Sequence, residues 1–441
     1  MTAGTILLIV AMVFFIVLLL GHPLSFTLGG LGIIFGVCFW DNPNVLNLFI
    51  RSVNQITTNS TYVCGPLFIF MGAVLERSGA ANELFDSMYI VLGRLKGGLA
   101  ITTIVICTLL AAATGIIGAS ISLMTMLALP TMMKHNYNLE LATGTIMGAG
   151  CLGTLIPPSI IMVIYGAQAQ LSIGKLFAGG IGAGLLLSSL YLAYVIVMTN
   201  VVKKDWAPAI PKEESDRYSK NQKIKMTIKS VCPTLGLIIV VLGSIMFGIA
   251  TPTEASALGC VGAIILSAAN RKLNWELLKK SCYDTIVTNA MIMWIILGAS
   301  MFTSVFLGLG GAEAITGLVA GLAVNRWIIF SIIILIIVIM GMFIDSYGVL
   351  LIGIPLFTPI VYSLGYDPIW FAIIFVVMIQ VSYLSPPFAY ACFYVKGVSK
   401  TPIPIGRLYK AVLPFLVLQI ICVVLLCLFP GIITWLPGKL M

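Results

Sequence analysis

The sequence predicts an all-α protein that crosses a lipid bilayer many times. Sixty per cent of the 441 residues are hydrophobic and only 9% are charged, which is too little polar surface for a soluble protein of this size. Many apolar runs approach or exceed the roughly 20 residues that a helix needs to cross a bilayer. Two of these runs contain a Pro-Pro pair at a matching position, which predicts broken helices inside an internal repeat.

Predicted elements follow the same order in both halves of the chain. The first half, 1–202, contains spans at about 4–20, 23–40, 57–77 and 176–202, an amphipathic segment at 79–95, a pair of half-length runs at 98–133 and a broken span at 139–166. The second half, 230–441, contains spans at 230–249, 252–270 and 284–308, an amphipathic segment at 311–325, half-length runs at 327–364, a broken span at 368–395 and a final span at 409–436. The polar stretch 203–229 is expected to be a cytoplasmic connecting loop.

An offset of 229 residues superimposes the two halves. It places Pro157-Pro158 on Pro386-Pro387, and it also aligns Tyr165 with Tyr394. Because the first half contains an odd number of full crossings, the second copy is expected to be inverted relative to the first. Inverted repeats are typical of alternating-access transporters.

The half-length runs are separated by small or polar residues, at 114–120 (TGIIGAS) and 345–348 (DSYG). We expect two re-entrant helical hairpins, the first entering from the cytoplasm and the second from outside. The alternative is that each pair forms two short complete crossings, but that arrangement spoils the distribution of charge in the loops. The hairpin tips are expected to meet the two broken spans near the middle of the membrane.

Charge distribution sets the expected orientation. Counting spans outward from a cytoplasmic 203–229 places 20 of the 24 Lys and Arg residues on the cytoplasmic side, as the positive-inside rule requires. Both termini are then periplasmic.

The broken spans are the expected binding region. Proline removes a backbone donor and disrupts the preceding turn, and backbone groups freed in lipid are tolerated only where protein or a cavity satisfies them. Transporters commonly bind ions and substrate at such breaks. A simple proline kink is the alternative. The spacing of Gly144 and Gly148 is typical of close helix packing.

Asp345 is the strongest single candidate for a functional residue, because no other carboxylate lies within roughly 15 residues of it. A charge embedded in a membrane costs at least ~2.5 kcal/mol and usually marks a functional site. The alternative is a carboxylate that caps a helix at a water-filled vestibule. Two other functions are considered. An intramembrane enzyme with Asp345 as acid or base would need a second catalytic carboxylate or a buried histidine, which the sequence does not supply. The other is an ion channel.

Hard cations such as sodium take oxygen ligands, and hydroxyl side chains and freed carbonyls cluster at the breaks. The candidate ion- and substrate-binding residues are Thr114, Gly115, Gly118, Ser120, Gly153, Thr154, Pro157, Asp345, Ser346, Gly348, Ser382, Ser385 and Pro386. Sodium ligation is predicted at Ser120, Gly153, Asp345 and Ser385. Each hydroxyl could instead bond to its own helix. Half-helix N-termini near the tips would favour an anionic substrate.

Other chemistries find no support in the sequence. The two histidines lie near span ends outside any HExxH motif, and GxSxG and a complete phosphate-binding loop are missing. No soluble stretch is long enough for a nucleotide-binding domain. We therefore expect no enzyme activity, no organic cofactor and no nucleic-acid partner.

Several segments together resemble the large membrane subunit of tripartite ATP-independent periplasmic (TRAP) transporters. They are 22–26 (HPLSF), 156–160 (IPPSI), 251–255 (TPTEA), 341–345 (GMFID), 385–388 (SPPF) and 435–437 (WLP). The resemblance implies a sodium-coupled importer of organic acids with an elevator mechanism, located in a bacterial inner membrane. It also implies two partners, a small four-helix membrane subunit and a periplasmic substrate-binding protein.

The sequence departs from the family at the first hairpin tip, which often reads Ser-Gly-Ser-x-x-Ala-Asp. Here 114–120 is TGIIGAS and lacks the acid, so backbone carbonyls are expected to contribute more to the first ion site. The segment 388–398 (FAYACFYVKGV) resembles a branch that handles small organic acids, such as 2-oxo acids or sulfonates.

Overall fold

The computed structural model describes residues 9–440 except 11, 15, 18–19, 41–44, 116, 212–217, 312, 315–316 and 318–323, and these residues form helices and connections without strands. Eight of the described helices are long and apolar enough to cross a membrane, or nine if the bent pair Val45–Thr58 and Ser60–Arg77 is one span. The protein is therefore an all-α, multi-pass membrane protein.

The helices have the following bounds. In the first half they are α1 (Leu24–Phe39), α2 (Val45–Thr58), α3 (Cys64–Arg77), α4 (Ala80–Leu92), α5 (Gly98–Thr114), α6 (Ile117–Lys134), α7 (Leu139–Gly150), α8 (Ile160–Ala169) and α9 (Ile173–Val197). In the second half they are α10 (Lys220–Met246), α11 (Pro252–Ala269), α12 (Trp275–Gly308), α13 (Arg326–Phe343), α14 (Ser346–Ser363), α15 (Pro368–Leu384), α16 (Tyr390–Val398), α17 (Ile405–Leu428) and α18 (Gly431–Leu440). Short 3-10 turns cover Ser60–Val63 and Cys151–Thr154, and a π-turn covers Met198–Val202.

Helix boundaries follow the 229-residue offset closely. Helix α6 and helix α14 begin and end at corresponding positions, and α7 and α15 begin at corresponding positions. Each break occurs where expected: α5 ends before Gly115, α13 ends before Asp345, and the Pro-Pro pairs separate α7 from α8 and α15 from α16. The same sequence of long, broken and paired helices therefore occurs twice.

The predicted span at 57–77 is wrong at its start. Residues 45–58 form the separate helix α2, which is bent by 53° from the helix that follows. The side chain of Asn59 accepts a hydrogen bond from the backbone N–H of Thr61 and begins a new turn there. Asparagine favours such caps because its short side chain competes with the helix for backbone donors.

Two other boundaries differ from the sequence prediction. The connecting loop does not extend to 229, because α10 begins at Lys220 behind a capping box formed by Ser219 and Gln222. The final span ends at Leu428, and Pro430 precedes the separate helix α18. The predicted segments 4–20 and 311–325 lie largely outside the described residues.

The helices pack in two groups. Helices α1, α3, α11 and α12 contact mainly one another, α10 packs against both α11 and α4, and an ion pair between Arg77 and Asp284 joins α3 to α12. Helices α5–α9 pack with α13–α18, and Glu140 of α7 pairs with Arg407 of α17 at 3.3 Å. Contacts of α5 with α3, of α10 with α9 and α5, and of α14 with α12 connect the groups.

Gly144 and Gly148 bring α7 close to α17. A methyl group added at Gly144 would lie 2.3 Å from the carbonyl oxygen of Ala411, and one at Gly148 would lie 2.5 Å from the ring of Phe415. The glycine spacing noted in the sequence is thus a site of close helix packing, since small residues let backbones approach in a membrane.

We expect Gly144→Ala to destabilise the protein by about 1–3 kcal/mol, because the added methyl forces the two backbones apart. Gly236→Ala is the control, since a methyl there meets nothing within 4 Å. Thermal melting of the purified proteins measures both. Equal melting temperatures for Gly144→Ala and wild type would contradict the packing described for α7 and α17.

Candidate functional site

A cavity of about 670 Å³ lies where the two groups of helices meet. Both helix pairs and both broken spans contribute to its wall, through Gly115 and Gly118, Thr154, Asp345 and Tyr383. The start of α1 and the middle of α12 close it from the other group, at His22 and Trp294 among others. The interruptions in the helices thus lie around one shared cavity.

Corresponding positions of the two halves line this cavity. The 229-residue offset pairs Gly115 with Ile344, Ile117 with Ser346, Gly118 with Tyr347, Thr154 with Tyr383 and Ile161 with Tyr390, and all ten residues are in the wall. The cavity is therefore built from the same structural positions used twice.

Asp345 stands at the start of α14 and lines the cavity. Its Oδ1 accepts a hydrogen bond from the backbone N–H of Gly348 at 3.2 Å, so the carboxylate caps the helix. Apart from His22, it is the one ionisable wall residue that is not a tyrosine, among the lining residues described. The geometry thus gives Asp345 a capping contact and, at the same time, a position from which it can act on a bound ion or substrate.

The first helix pair touches the first broken span at Gly115. This residue has φ +62°, a backbone conformation that favours glycine, and an added methyl would lie 3.2 Å from the carbonyl oxygen of Pro158. The side chain of Thr114 and residue 116, which corresponds to Asp345, lie outside the described part of the chain.

Gly118 makes room for a tyrosine from the other half. A methyl group at Gly118 would lie 2.7 Å from the ring of Tyr394 and 3.0 Å from its hydroxyl oxygen. The phenol of α16 therefore rests directly on the start of α6.

A buried hydrogen bond joins the two broken spans. Nε2 of Gln380 donates to Oγ1 of Thr154 at 3.0 Å, and Thr154 Oγ1 in turn donates to the carbonyl of Cys151 at 3.2 Å. Gln380 is completely buried. Its Oε1 has no hydrogen-bond partner among the described residues, which is unusual for a buried amide.

Comparison with known proteins identifies the family. Over residues 11–432 the chain matches the family described as "Tripartite ATP-independent periplasmic transporter, DctM component". The chain belongs to this family. Its role is that of a transporter permease rather than an enzyme, as the names of its relatives also state.

Two curated relatives and one solved structure illustrate the similarity. The C4-dicarboxylate TRAP transporter large permease protein of Pseudomonas aeruginosa is 30% identical over 400 residues, covering 90% of this chain and 91% of the relative. The isethionate TRAP transporter permease protein of Oleidesulfovibrio alaskensis is 30% identical over 85% of this chain and 57% of its own length. The Alcanivorax borkumensis YdaH transporter shares the fold, with a TM-score of 0.63, 14% identity and 89% of each chain covered.

The predicted site residues of this DctM component divide into two sets. Gly115, Gly118, Thr154, Asp345 and Ser346 line the cavity. The remaining described candidates are not among its lining residues; they are Ser120, Gly153, Pro157, Gly348, Ser382, Ser385 and Pro386. Of the four residues predicted to ligate sodium, the cavity wall therefore includes Asp345 and not Ser120, Gly153 or Ser385.

Several predicted oxygen ligands bond to the protein itself. Ser382 and Ser385 each donate to a carbonyl of their own helix at 2.7 Å, which is the alternative that applies to any helical hydroxyl. Ser159, which was not among the predicted ligands, donates to the carbonyl of Thr154 at 2.5 Å. Both Pro157-Pro158 and Pro386-Pro387 are cis.

Sequence reasoning missed the tyrosines of the cavity and Gln380. Tyr347, Tyr383, Tyr390 and Tyr394 all line the wall. The ring centroids of Tyr383 and Tyr390 are 5.2 Å apart, and the hydroxyls of Tyr383 and Ser346 are 3.3 Å apart. Two signals in the sequence could have found them. Gln380 is the one amide in the apolar run 368–384. Three of the tyrosines stand where the first half has a smaller or aliphatic residue, namely Gly118, Thr154 or Ile161.

We expect Thr154→Val to destabilise the protein by about 1–3 kcal/mol, because it leaves the Gln380 amide buried without an acceptor. Adding Gln380→Met to this variant removes the stranded amide and should restore part of the loss. A double-mutant cycle of melting temperatures measures the coupling. Strictly additive effects would show that the two side chains do not interact.

Proposed function

We propose that this DctM component is the membrane-embedded part of a sodium-coupled importer of a small organic acid, either a carboxylate or a sulfonate. The observation that carries the proposal is that corresponding positions of both halves line one cavity. Transporters with inverted repeats bind substrate and ions at such an interface between repeats.

Sodium is the proposed coupling ion because oxygen atoms dominate the polar part of the wall. Asp345 supplies an anionic oxygen, and Ser346 and Thr154 supply hydroxyls. A hard cation favours such ligands, and a carboxylate adds Coulomb attraction when it is partly buried. Each sodium ion that moves inward down ~100 mV releases about 2.3 kcal/mol from voltage alone, enough to drive accumulation.

The two helix pairs, α5–α6 and α13–α14, are proposed to be re-entrant hairpins entering from opposite sides. The two packing groups support an elevator mechanism, in which α5–α9 and α13–α18 move against α1, α3 and α10–α12. The cavity between the groups would then open to each side in turn.

Two partners complete the proposed transporter. As the DctM component of a tripartite family, the chain would work with a small four-helix membrane subunit and a periplasmic binding protein that delivers the substrate. The proposed location is a bacterial inner membrane with both termini in the periplasm. A channel remains the second candidate, since it would also use an embedded acidic site.

Uptake into proteoliposomes that contain this chain and its small subunit tests the proposal. With the binding protein present, we expect accumulation of an organic acid only under an inward sodium gradient, and no transport by this chain alone. Uptake that equilibrates without accumulating would indicate a channel, and uptake equal in sodium and potassium would refute sodium coupling.

Asp345→Asn should weaken the sodium dependence of uptake by about 100-fold, because it removes a ligand's charge. The melting temperature should change little, since Asn caps a helix about as well as Asp. Asp345→Ala should weaken the sodium dependence and also lower the melting temperature, because alanine neither carries a charge nor caps the helix.

Asp367 provides a matched control for this experiment. It caps α15 through the backbone N–H of Trp370 at 2.8 Å, and it is exposed and outside the cavity. Asp367→Ala should lower stability without altering sodium dependence. If Asp345→Asn matches wild type in its sodium half-saturation, Asp345 is only a cap.

Cysteine labelling tests the proposed orientation. In a background without the exposed cysteines Cys38, Cys232 and Cys282, Arg51→Cys should react with an impermeant reagent on intact cells. Lys204→Cys should react only after permeabilisation. Strong labelling of Lys204→Cys from outside would reverse the topology.

A further inference from the structure

The two halves contribute unequal side chains to equivalent positions in the cavity wall. The first half places Gly118, Thr154 and Ile161 there. The corresponding residues of the second half are Tyr347, Tyr383 and Tyr390, which also line the wall. The first half therefore contributes small or aliphatic side chains to the wall, and the second half contributes phenols at the equivalent positions.

The phenols offer hydrogen-bond donors that the described protein leaves unused. The hydroxyls of Tyr347, Tyr390 and Tyr394 make no hydrogen bond within the described part of the chain, whereas Tyr383 lies 3.3 Å from the hydroxyl of Ser346. Tyr394 is 39% exposed, and Tyr347 and Tyr390 are partly exposed. A phenol donates through a neutral O–H group, so these three residues can bind an acidic oxygen without carrying charge.

The charge of the wall limits what can bind. Its described residues include Asp345 but neither lysine nor arginine. Proteins that recognise carboxylates strongly often use the guanidinium of arginine. A dianion would place two negative charges near Asp345, and His22 is the one described wall residue that could offset them by gaining a proton. A single acid group suits three neutral donors better.

Much of the remaining wall is apolar, although Ser25, Thr154 and Thr288 also line it. Ile117 and Ile161 come from the first half, and Met291 and Ile295 come from α12. These side chains offer no partner for a second carboxylate, and they favour contact with a hydrocarbon group.

We infer that the cavity binds an organic acid with one acid group and an apolar body, in a fixed orientation, rather than a C4-dicarboxylate. The acid group lies among Tyr347, Tyr390 and Tyr394, and the apolar body lies against Ile117 and Ile161. This inference rests on the proposed function, since it takes the cavity as the transport site.

Calorimetric titration of the purified chain with its small subunit tests the inference. The probes are 4-methyl-2-oxopentanoate, which has one carboxylate and a branched tail, and succinate, which has two carboxylates. In sodium, we expect 4-methyl-2-oxopentanoate to bind at least about tenfold more tightly than succinate. Tyr390→Phe and Tyr394→Phe should each weaken its binding by up to about tenfold, the upper range for a neutral hydrogen bond.

Tyr283→Phe is the matched control, because Tyr283 is 68% exposed on α12 and does not line the cavity; its affinity should equal that of wild type. Gly118→Ala tests the position of Tyr394 without changing that residue, because the added methyl must displace its ring. It should weaken binding of 4-methyl-2-oxopentanoate even if a Tyr→Phe variant is unstable.

Equal or tighter binding of succinate, no binding of 4-methyl-2-oxopentanoate, or full affinity in both Tyr→Phe variants would overturn the inference. Repeating the titrations in potassium separates this result from the proposed coupling. If the preference for 4-methyl-2-oxopentanoate and the effect of the Tyr→Phe variants are the same in potassium as in sodium, that result would uphold the tyrosine site and refute sodium coupling.

Discussion

The structure depends on one constraint: backbone polar groups freed inside a membrane must face protein or a cavity. Four interruptions of this kind occur in the described chain, at Gly115, at Asp345 and at the two Pro-Pro pairs. A lipid-facing position for any of them would leave donors and acceptors unpaired. Local side chains satisfy part of this need, since Asp345 caps α14 and Ser159 donates to the carbonyl of Thr154. The proximity of the two broken spans adds the hydrogen bond from Gln380 to Thr154.

The two halves share helix geometry but not chemistry. Helices α6 and α14 have the same bounds under the 229-residue offset, yet Gly118 stands where the second half has Tyr347. The exchange is complementary, because the open space at Gly118 is occupied by the ring of Tyr394. A repeated scaffold can thus keep its helix breaks while its side chains differ, and the resulting wall combines phenols from one half with small and aliphatic side chains from the other.

The sequence predicted the features that depend on local chemistry. Prolines, glycines and apolar run lengths located the helix breaks to within a few residues, because these residues act on their own backbone. Contacts between distant segments were not predictable in this way. Gln380 meets Thr154 across 226 residues, and a hydroxyl such as that of Ser385 could equally ligate an ion or bond to its own helix, as it does. The separate helix α2 was missed because residues 45–58 contain enough polar side chains to be taken for a loop. The turn that begins at Asn59 separates them from the apolar helix that follows.

The central claim is that the cavity is reached from each side of the membrane in turn. Thr288 of α12 lines it, so the rate at which Thr288→Cys reacts with an impermeant thiol reagent, applied to either side of oriented membranes, measures access directly. Alternating access predicts reaction from both sides, with sodium and substrate raising the rate on one side while lowering it on the other. Simultaneous fast reaction from both sides, or reaction from one side under every condition, would contradict the account.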